Sequence, residues 1–186
     1  MASNPQAFAP RLSLSGHYSR TGQHRKIIEL LSPLRSTNAD NPAVRGLLGE
    51  SELAVGDYKK SVEDLSGFVE LAPNNIAGQY ALARAYAGVQ DRDRFYQQLN
   101  KVLEMDENHM KARSDLVKLM LIEKNIEEAK KALFKLDVLF EEHSDIYHAG
   151  FFEHAQQEFA EASILLSLLR EEEKPEILHS PEALSI

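Results

Sequence analysis

Histidines and paired carboxylates are the side chains through which this chain would do chemistry. Of seven histidines, His143, His148 and His154 cluster near Asp145. Two histidines on one helix share a metal when they lie three or four residues apart, because both rings then face one way. His148 and His154 lie six apart, which turns their side chains roughly 120° away from each other, and His143 precedes that helix. No metal site is expected. The pairs Glu127-Glu128 and Glu141-Glu142 fall on charged helical faces or turns. Nothing near them builds the apolar pocket that would raise a carboxyl pKa for acid catalysis. The run Glu171-Glu172-Glu173-Lys174 is the charged end of a helix. There is no glycine-rich phosphate loop, no Gly-x-Ser-x-Gly elbow and no His-Glu-x-x-His helix. The reading predicts no enzyme activity and no cofactor.

Composition narrows the class further. The 186 residues are 43% hydrophobic and 27% charged, which suits a folded globular chain. A net charge of −8 opposes general nucleic-acid binding, which needs a surplus of Lys and Arg. The absence of cysteine removes disulfides, thiolate metal sites and cysteine nucleophiles together. No apolar run is long enough to span a bilayer. The start, Met1-Ala-Ser-Asn-Pro-Gln-Ala-Phe, lacks the pattern of a signal peptide. As written, the chain reads as cytoplasmic, or as periplasmic if a leader has been removed.

The elements that would position any site emerge from an internal repeat. Turns at Gly22-Gln23-His24, Gly56-Asp57-Tyr58, Gln90-Asp91-Arg92 and Lys124-Asn125-Ile126 follow one another at 34 residues, and Gln157-Glu158-Phe159 follows at 33. Seven residues before each turn stands Ser15, Gly49, Ala83, Val117 or Gly150, small in all but one case. In the first four units a leucine (Leu14, Leu48, Leu82, Leu116) directly precedes it. After the turns, Ile27, Ser61, Phe95, Ala129 and Ala162 recur, then Leu31, Leu65, Leu99, Leu133 and Leu166, then Leu34, Phe68, Val102, Leu136 and Leu169. Steps of four and three put these on one stripe of a helix.

Each unit is therefore a pair of antiparallel helices, held close by the small residue. Glycine ends the first helix with φ > 0, and Asp57 and Asp91 are placed to cap the second. Ala72-Pro73-Asn74-Asn75 stops one pair and starts the next, because proline cannot continue the ladder. Asn38-Ala39-Asp40-Asn41-Pro42 does the same one repeat earlier, with Pro42 in the first turn of the new helix. A compact helical bundle is the rival architecture, but a bundle needs no fixed register.

Leu48-Gly49, Gly56-Asp57-Tyr58 and Leu71-Ala72-Pro73-Asn74-Asn75 resemble the tetratricopeptide repeat at its characteristic spacings. Tyr80-Ala81-Leu82-Ala83-Arg84-Ala85-Tyr86 in the next unit is close to it. The resemblance covers five units, 8–41, 42–75, 76–109, 110–142 and 143–170, between a flexible segment 1–7 and a tail 171–186. It implies an all-α, right-handed superhelical solenoid of antiparallel helix pairs. It also implies a concave groove, lined by the first helices, that takes extended peptides or partner helices.

Periodicity assigns groove positions to Leu12, Gly16, Gly46, Glu50, Leu53, Tyr80, Arg84 and Ala87 in the first three units. It adds Lys111, Ser114, Lys118 and Leu121 in the fourth, and Tyr147, Phe151 and His154 in the fifth. The first two units are nearly featureless, while the last three interleave cations with aromatic and apolar groups. Residue types that commonly anchor interfaces are thus concentrated in units three to five, and the expected partner is an acidic-hydrophobic protein segment. The carboxylate clamp by which one subfamily binds chaperone tails needs Lys and Asn in its first repeat; Leu12 and Gly16 occupy those places, so that clamp is absent.

Two functions are expected from this. One is a scaffold or adaptor that binds another polypeptide. The other is an assembly element that self-associates through the ends or outer face of its solenoid. In the tail, Lys174-Pro175 breaks the helix and Ser180-Pro181-Glu182 offers a new start; Ile177, Leu178, Leu184 and Ile186 either cap the last pair, stay disordered with the tail, or insert into a neighbouring molecule.

Overall fold

A computed structural model describes residues 8–123 together with 125, 127–129, 131–132 and 134–135. The described residues form helices α1 (Phe8–Arg20), α2 (His24–Leu31), α3 (Pro42–Val55), α4 (Tyr58–Leu71), α5 (Ile76–Gly88), α6 (Arg92–Met105) and α7 (Met110–Ile122). A short 3₁₀ turn, Ser32–Leu34, extends α2. The chain divides into two compact units, Met1–Glu107 and Asn108–Ile186.

In the first unit, α1–α2, α3–α4 and α5–α6 are consecutive pairs, and each second helix also packs on the next pair's first helix. The first helices lie side by side, α1 against α3 and α3 against α5. Two apolar clusters hold this stack. Ile27, Leu31, Val44 and Leu48 join the first pair to the second. Leu65, Val69, Ala81, Leu82 and Ala85 join the second to the third. The stripes expected on the second helices are buried at Ile27, Leu31, Leu65, Leu99 and Val102. Leu48 and Leu82 are buried as expected, whereas Leu14 is 42% exposed. The physical reason is positional: Leu48 is covered by α2 of the preceding pair, and α1 has no preceding pair described.

The turns carry the 34-residue register into the hydrogen bonds. The carbonyls of Tyr18, Glu52, Tyr86 and Met120 each accept a backbone N–H from five residues on, from Gln23, Asp57, Asp91 and Asn125, at 2.9–3.0 Å. This is the long bond of a helix C-terminus that reverses through a left-handed residue. Gly22 and Gly56 take that conformation at φ 66° and 84°, and in the third turn Gln90 takes it at φ 62°.

Capping follows the sequence with one exception. Asn41 accepts from the N–H groups of Ala43 and Val44, ahead of Pro42 in the first turn of α3. Asn75 accepts from Gly78, and Asp91 from Arg94 at 3.1 Å. Asp57 makes no cap bond. Its carboxylate accepts from Lys60 Nζ at 2.5 Å instead, because the lysine one turn along offers a charged donor.

The expected close approach of paired helices is present at Gly49. A Cβ there would fall 2.6 Å from Leu65 Cγ, and Ser61 Oγ donates to the Gly49 carbonyl at 2.8 Å. In the second unit, α7 buries Ala112, Leu116, Val117, Leu119 and Met120, with Val117 in the place of the usual small residue.

Candidate interaction surface

Helix α5 is made almost wholly of small and apolar residues, and Gly78, Gln79, Ala81, Leu82, Ala83 and Ala85 are buried. Arg84 is its one charged residue, and it is exposed, with Ala87 exposed one turn along and Tyr80 half-buried one turn before. One helix earlier in the register, α3 presents Glu50 to solvent. Leu53 and Leu12, expected on the groove edge, are half-buried and pack on the two apolar clusters. Gly46 is buried because the Phe68 ring lies 3.3 Å from where its Cβ would stand. Gly16 is half-buried, with little beside it but the Arg20 guanidinium.

In the second unit, Lys111 is exposed and Lys118 and Leu121 are half-buried. Ser114 is 1% exposed, so its side chain has no surface to offer a ligand, contrary to expectation. Tyr147, Phe151 and His154 lie outside the described residues, as do His143, Asp145 and His148, the tail 171–186 and the whole fifth repeat. Among the described residues no group of His, Cys, Asp and Glu is placed to hold a metal ion. No described helix is long and apolar enough to cross a membrane.

The strongest electrostatic feature of the first unit lies elsewhere, where the first and second pairs meet. Glu52 on α3 and Asp64 on α4 are both 0% exposed. Arg35, just after the 3₁₀ turn, donates to Glu52 Oε1 and lies 3.0 Å from Asp64 Oδ2. Arg45 Nη1 donates to Asp64 Oδ1 at 2.5 Å, and its Nε donates to the Ala39 carbonyl at 3.1 Å. Burial pushes the Glu52 carboxyl up to about 7; the neighbouring Asp64 adds to this and the Arg35 guanidinium opposes it. Taking a carboxylate out of water disfavours its charged form unless partners fully replace the hydration.

Periodicity of apolar residues could not find this cluster, but the register holds a signal. Glu52 stands where the neighbouring repeats have Tyr18 and Tyr86, and Asp64 where they have Leu30 and Gln98. Arg35 stands where they have Val69 and Leu103. At the next junction the same space is neutral. Gln98 donates to the buried Gln79, whose own amide donates to the Pro73 carbonyl at 2.7 Å. Elsewhere the charges are superficial. Lys60 holds the Asp57 carboxyl below its usual range, and Arg94 does the same for Asp91. Lys26 and Arg94 sit over the Tyr18 and Tyr86 rings at 5.2 and 4.9 Å.

No family model matches this chain, and no curated protein does. Solved structures do. MamA from Desulfovibrio magneticus RS-1 superposes with a TM-score of 0.68 at 16% identity, over 72% of this chain and 76% of that one. A second MamA crystal structure matches at TM-score 0.67 and 15% identity, over 91% and 97% of the two chains. An O-GlcNAc transferase from Thermobaculum terrenum matches at TM-score 0.53 and 21% identity, over 64% of this chain but 23% of the enzyme. At these identities the likeness is one of fold. The fold is an all-α solenoid of the tetratricopeptide type.

Proposed function

We propose that this chain is a protein–protein interaction module, a scaffold or adaptor, that binds an extended peptide or partner helix along the face formed by its first helices. The observation that carries the reading is Arg84. A helix with no other charge, six of whose residues are buried, presents one exposed guanidinium one turn from a half-buried tyrosine. A buried helix needs no such charge for packing, and Arg with Tyr is a pair that often anchors interfaces. The fold supports the same use, since stacked pairs contact only their neighbours and leave an extended face open. On this reading the partner segment is acidic and apolar. The module works in the cytoplasm, without catalysis and without a cofactor. The test is affinity capture with mass spectrometry, followed by titration of the captured partner against Arg84→Ala, Lys118→Ala and Phe151→Ala. Unchanged affinity in all three variants would sink the groove.

A second reading rests on Leu14, whose 42% exposure leaves an apolar side chain uncovered on α1. Self-association through that end would cover it, making the chain an assembly element. Size-exclusion chromatography with light scattering decides this, since a monomer at all concentrations excludes it.

A further inference from the structure

The junction between the first two pairs holds four charged groups, three of which, Glu52, Asp64 and Arg35, stand where the neighbouring repeats hold tyrosine, leucine, valine or glutamine. Their hydrogen bonds do not close. Arg35 and Arg45 serve Glu52 Oε1 and Asp64 Oδ1, and Arg35 also pairs with Asp64 Oδ2 at 3.0 Å, while Glu52 Oε2 is buried with no hydrogen-bond donor. A buried carboxylate oxygen without a donor is unfavourable, and a second buried carboxylate close by adds to the cost. A single proton on Glu52 answers the deficit, because a protonated carboxyl becomes a donor to its ionised neighbour. The two carboxyl groups are brought together on one nitrogen, Arg35 Nη2, which pairs with Glu52 Oε1 and with Asp64 Oδ2.

We propose that this junction is a proton-operated joint: one proton held between the Glu52 and Asp64 carboxyls locks Arg35, and with it the first helix pair, onto α3 and α4, and loss of that proton loosens the packing.

The charged groups that face Glu52 come from three segments: Arg35 after the 3₁₀ turn, Arg45 on its own helix, and Asp64 on α4, with Lys60 acting from the start of α4. Asp57 is neutralised locally by its ion pair with Lys60. The sign follows from the raised Glu52 pKa of about 7 against an ordinary 4.5. When the first pair detaches, Glu52 meets water and returns to its ordinary range. The stabilisation is therefore complete at or below about pH 4.5 and falls as pH rises toward 7, above which it is gone. Ile27, Leu31, Val44 and Leu48 still bind the pairs together at high pH, so the joint opens more often rather than coming apart.

The experiment is backbone hydrogen exchange on the whole chain between pH 5.5 and 7.5, divided by the intrinsic rates, with α5–α6 as internal reference. The opening constant of α1–α2 is expected to rise on the order of tenfold over this range, while α5–α6 stays level. Glu52→Gln, which donates a fixed N–H to Asp64, should abolish the slope. A level α1–α2, or a slope that survives in Glu52→Gln, overturns the proposal. Should that variant fail to fold, carboxyl ¹³C titration of the unaltered chain decides: a glutamate titrating near 7 supports the joint, and all carboxyls titrating below about 5 overturn it.

Discussion

The ring of Tyr58 lies across Gly88, so close that a Cβ added at Gly88 would fall 2.3 Å from the ring carbons. This contact sets the distance between the second and third pairs, and the glycine is required for space. Gly88→Ala should destabilise the chain by about 1–3 kcal/mol through overpacking. Tyr58→Leu in the same background should recover part of that loss, because the smaller side chain vacates the space. Thermal melts of the two variants check both statements.

Gly49 and Gly46 lie one turn apart on α3 and should respond differently to the same change. An alanine Cβ at Gly49 meets Leu65 side-chain carbons at 2.6–2.8 Å and the Leu65 backbone nitrogen at 3.1 Å, with no room to retreat. At Gly46 the nearest atoms are Phe68 ring carbons at 3.3 Å, and that ring is only half-buried. Gly49→Ala is expected to lower stability by about 1–3 kcal/mol. Gly46→Ala is expected within about 0.5 kcal/mol of the parent, where helix propensity offsets the contact. Denaturant midpoints order the pair.

Gln90 holds a left-handed backbone at φ 62° in the place that glycine fills at the first two turns. Gln90→Gly should stabilise the third turn by about 1 kcal/mol, the strain that a side chain suffers there. The reverse changes, Gly22→Ala and Gly56→Ala, should destabilise by a similar amount although neither Cβ would touch anything within 4 Å. Chemical denaturation of the three variants reads this.

Caps separate in the same way. Asn75→Ala removes a bond to the Gly78 N–H and should cost about 1 kcal/mol. Asp57→Ala removes only an exposed pair with Lys60, and its effect should stay near the few tenths typical of such pairs. Equal losses in the two variants would contradict the assignment of caps.

The buried charges predict strong non-additivity. Glu52→Tyr alone installs the residue its neighbours carry but leaves Asp64 and Arg35 mispaired, at about 3–5 kcal/mol. Adding Arg35→Val, Asp64→Gln and Arg45→Gln, the residues at the matching places of the next junction, should return stability to the parent level or above. A quadruple variant as unstable as the sum of the singles would show that the charges are not one network.

The parts of the fold that repeat were legible in the sequence, because each recurs with a known local cause. Gly22 and Gly56 announced left-handed turns, Asn41-Pro42 and Asn75 announced helix starts, and Leu31, Leu65 and Leu99 announced the buried stripe. What escaped was each place where one repeat departs from the others. Gln90 does a glycine's work, Asp57 prefers a lysine to its own helix end, and Ser114 and Leu53 are buried and half-buried where period alone assigns an open edge. Glu52 and Asp64 were invisible for a different reason. A carboxylate on a helix is ordinarily solvated, and only the position in the register, compared with Tyr18 and Leu30, marks these two as facing inward.

That departure limits how the array can be rearranged. Repeats built on one spacing should in principle be exchanged, duplicated or deleted as blocks, since each meets its neighbours through the same surfaces. The second repeat is barred from such traffic. Its Glu52 depends on an arginine, Arg35, that belongs to the repeat before it, so copying the second repeat behind another unit would bury Glu52 without its base and leave Asp64 with Arg45 alone. The first two repeats can only be inherited together, and a transplanted or circularly reordered version of this array must carry residues 35–64 as one piece.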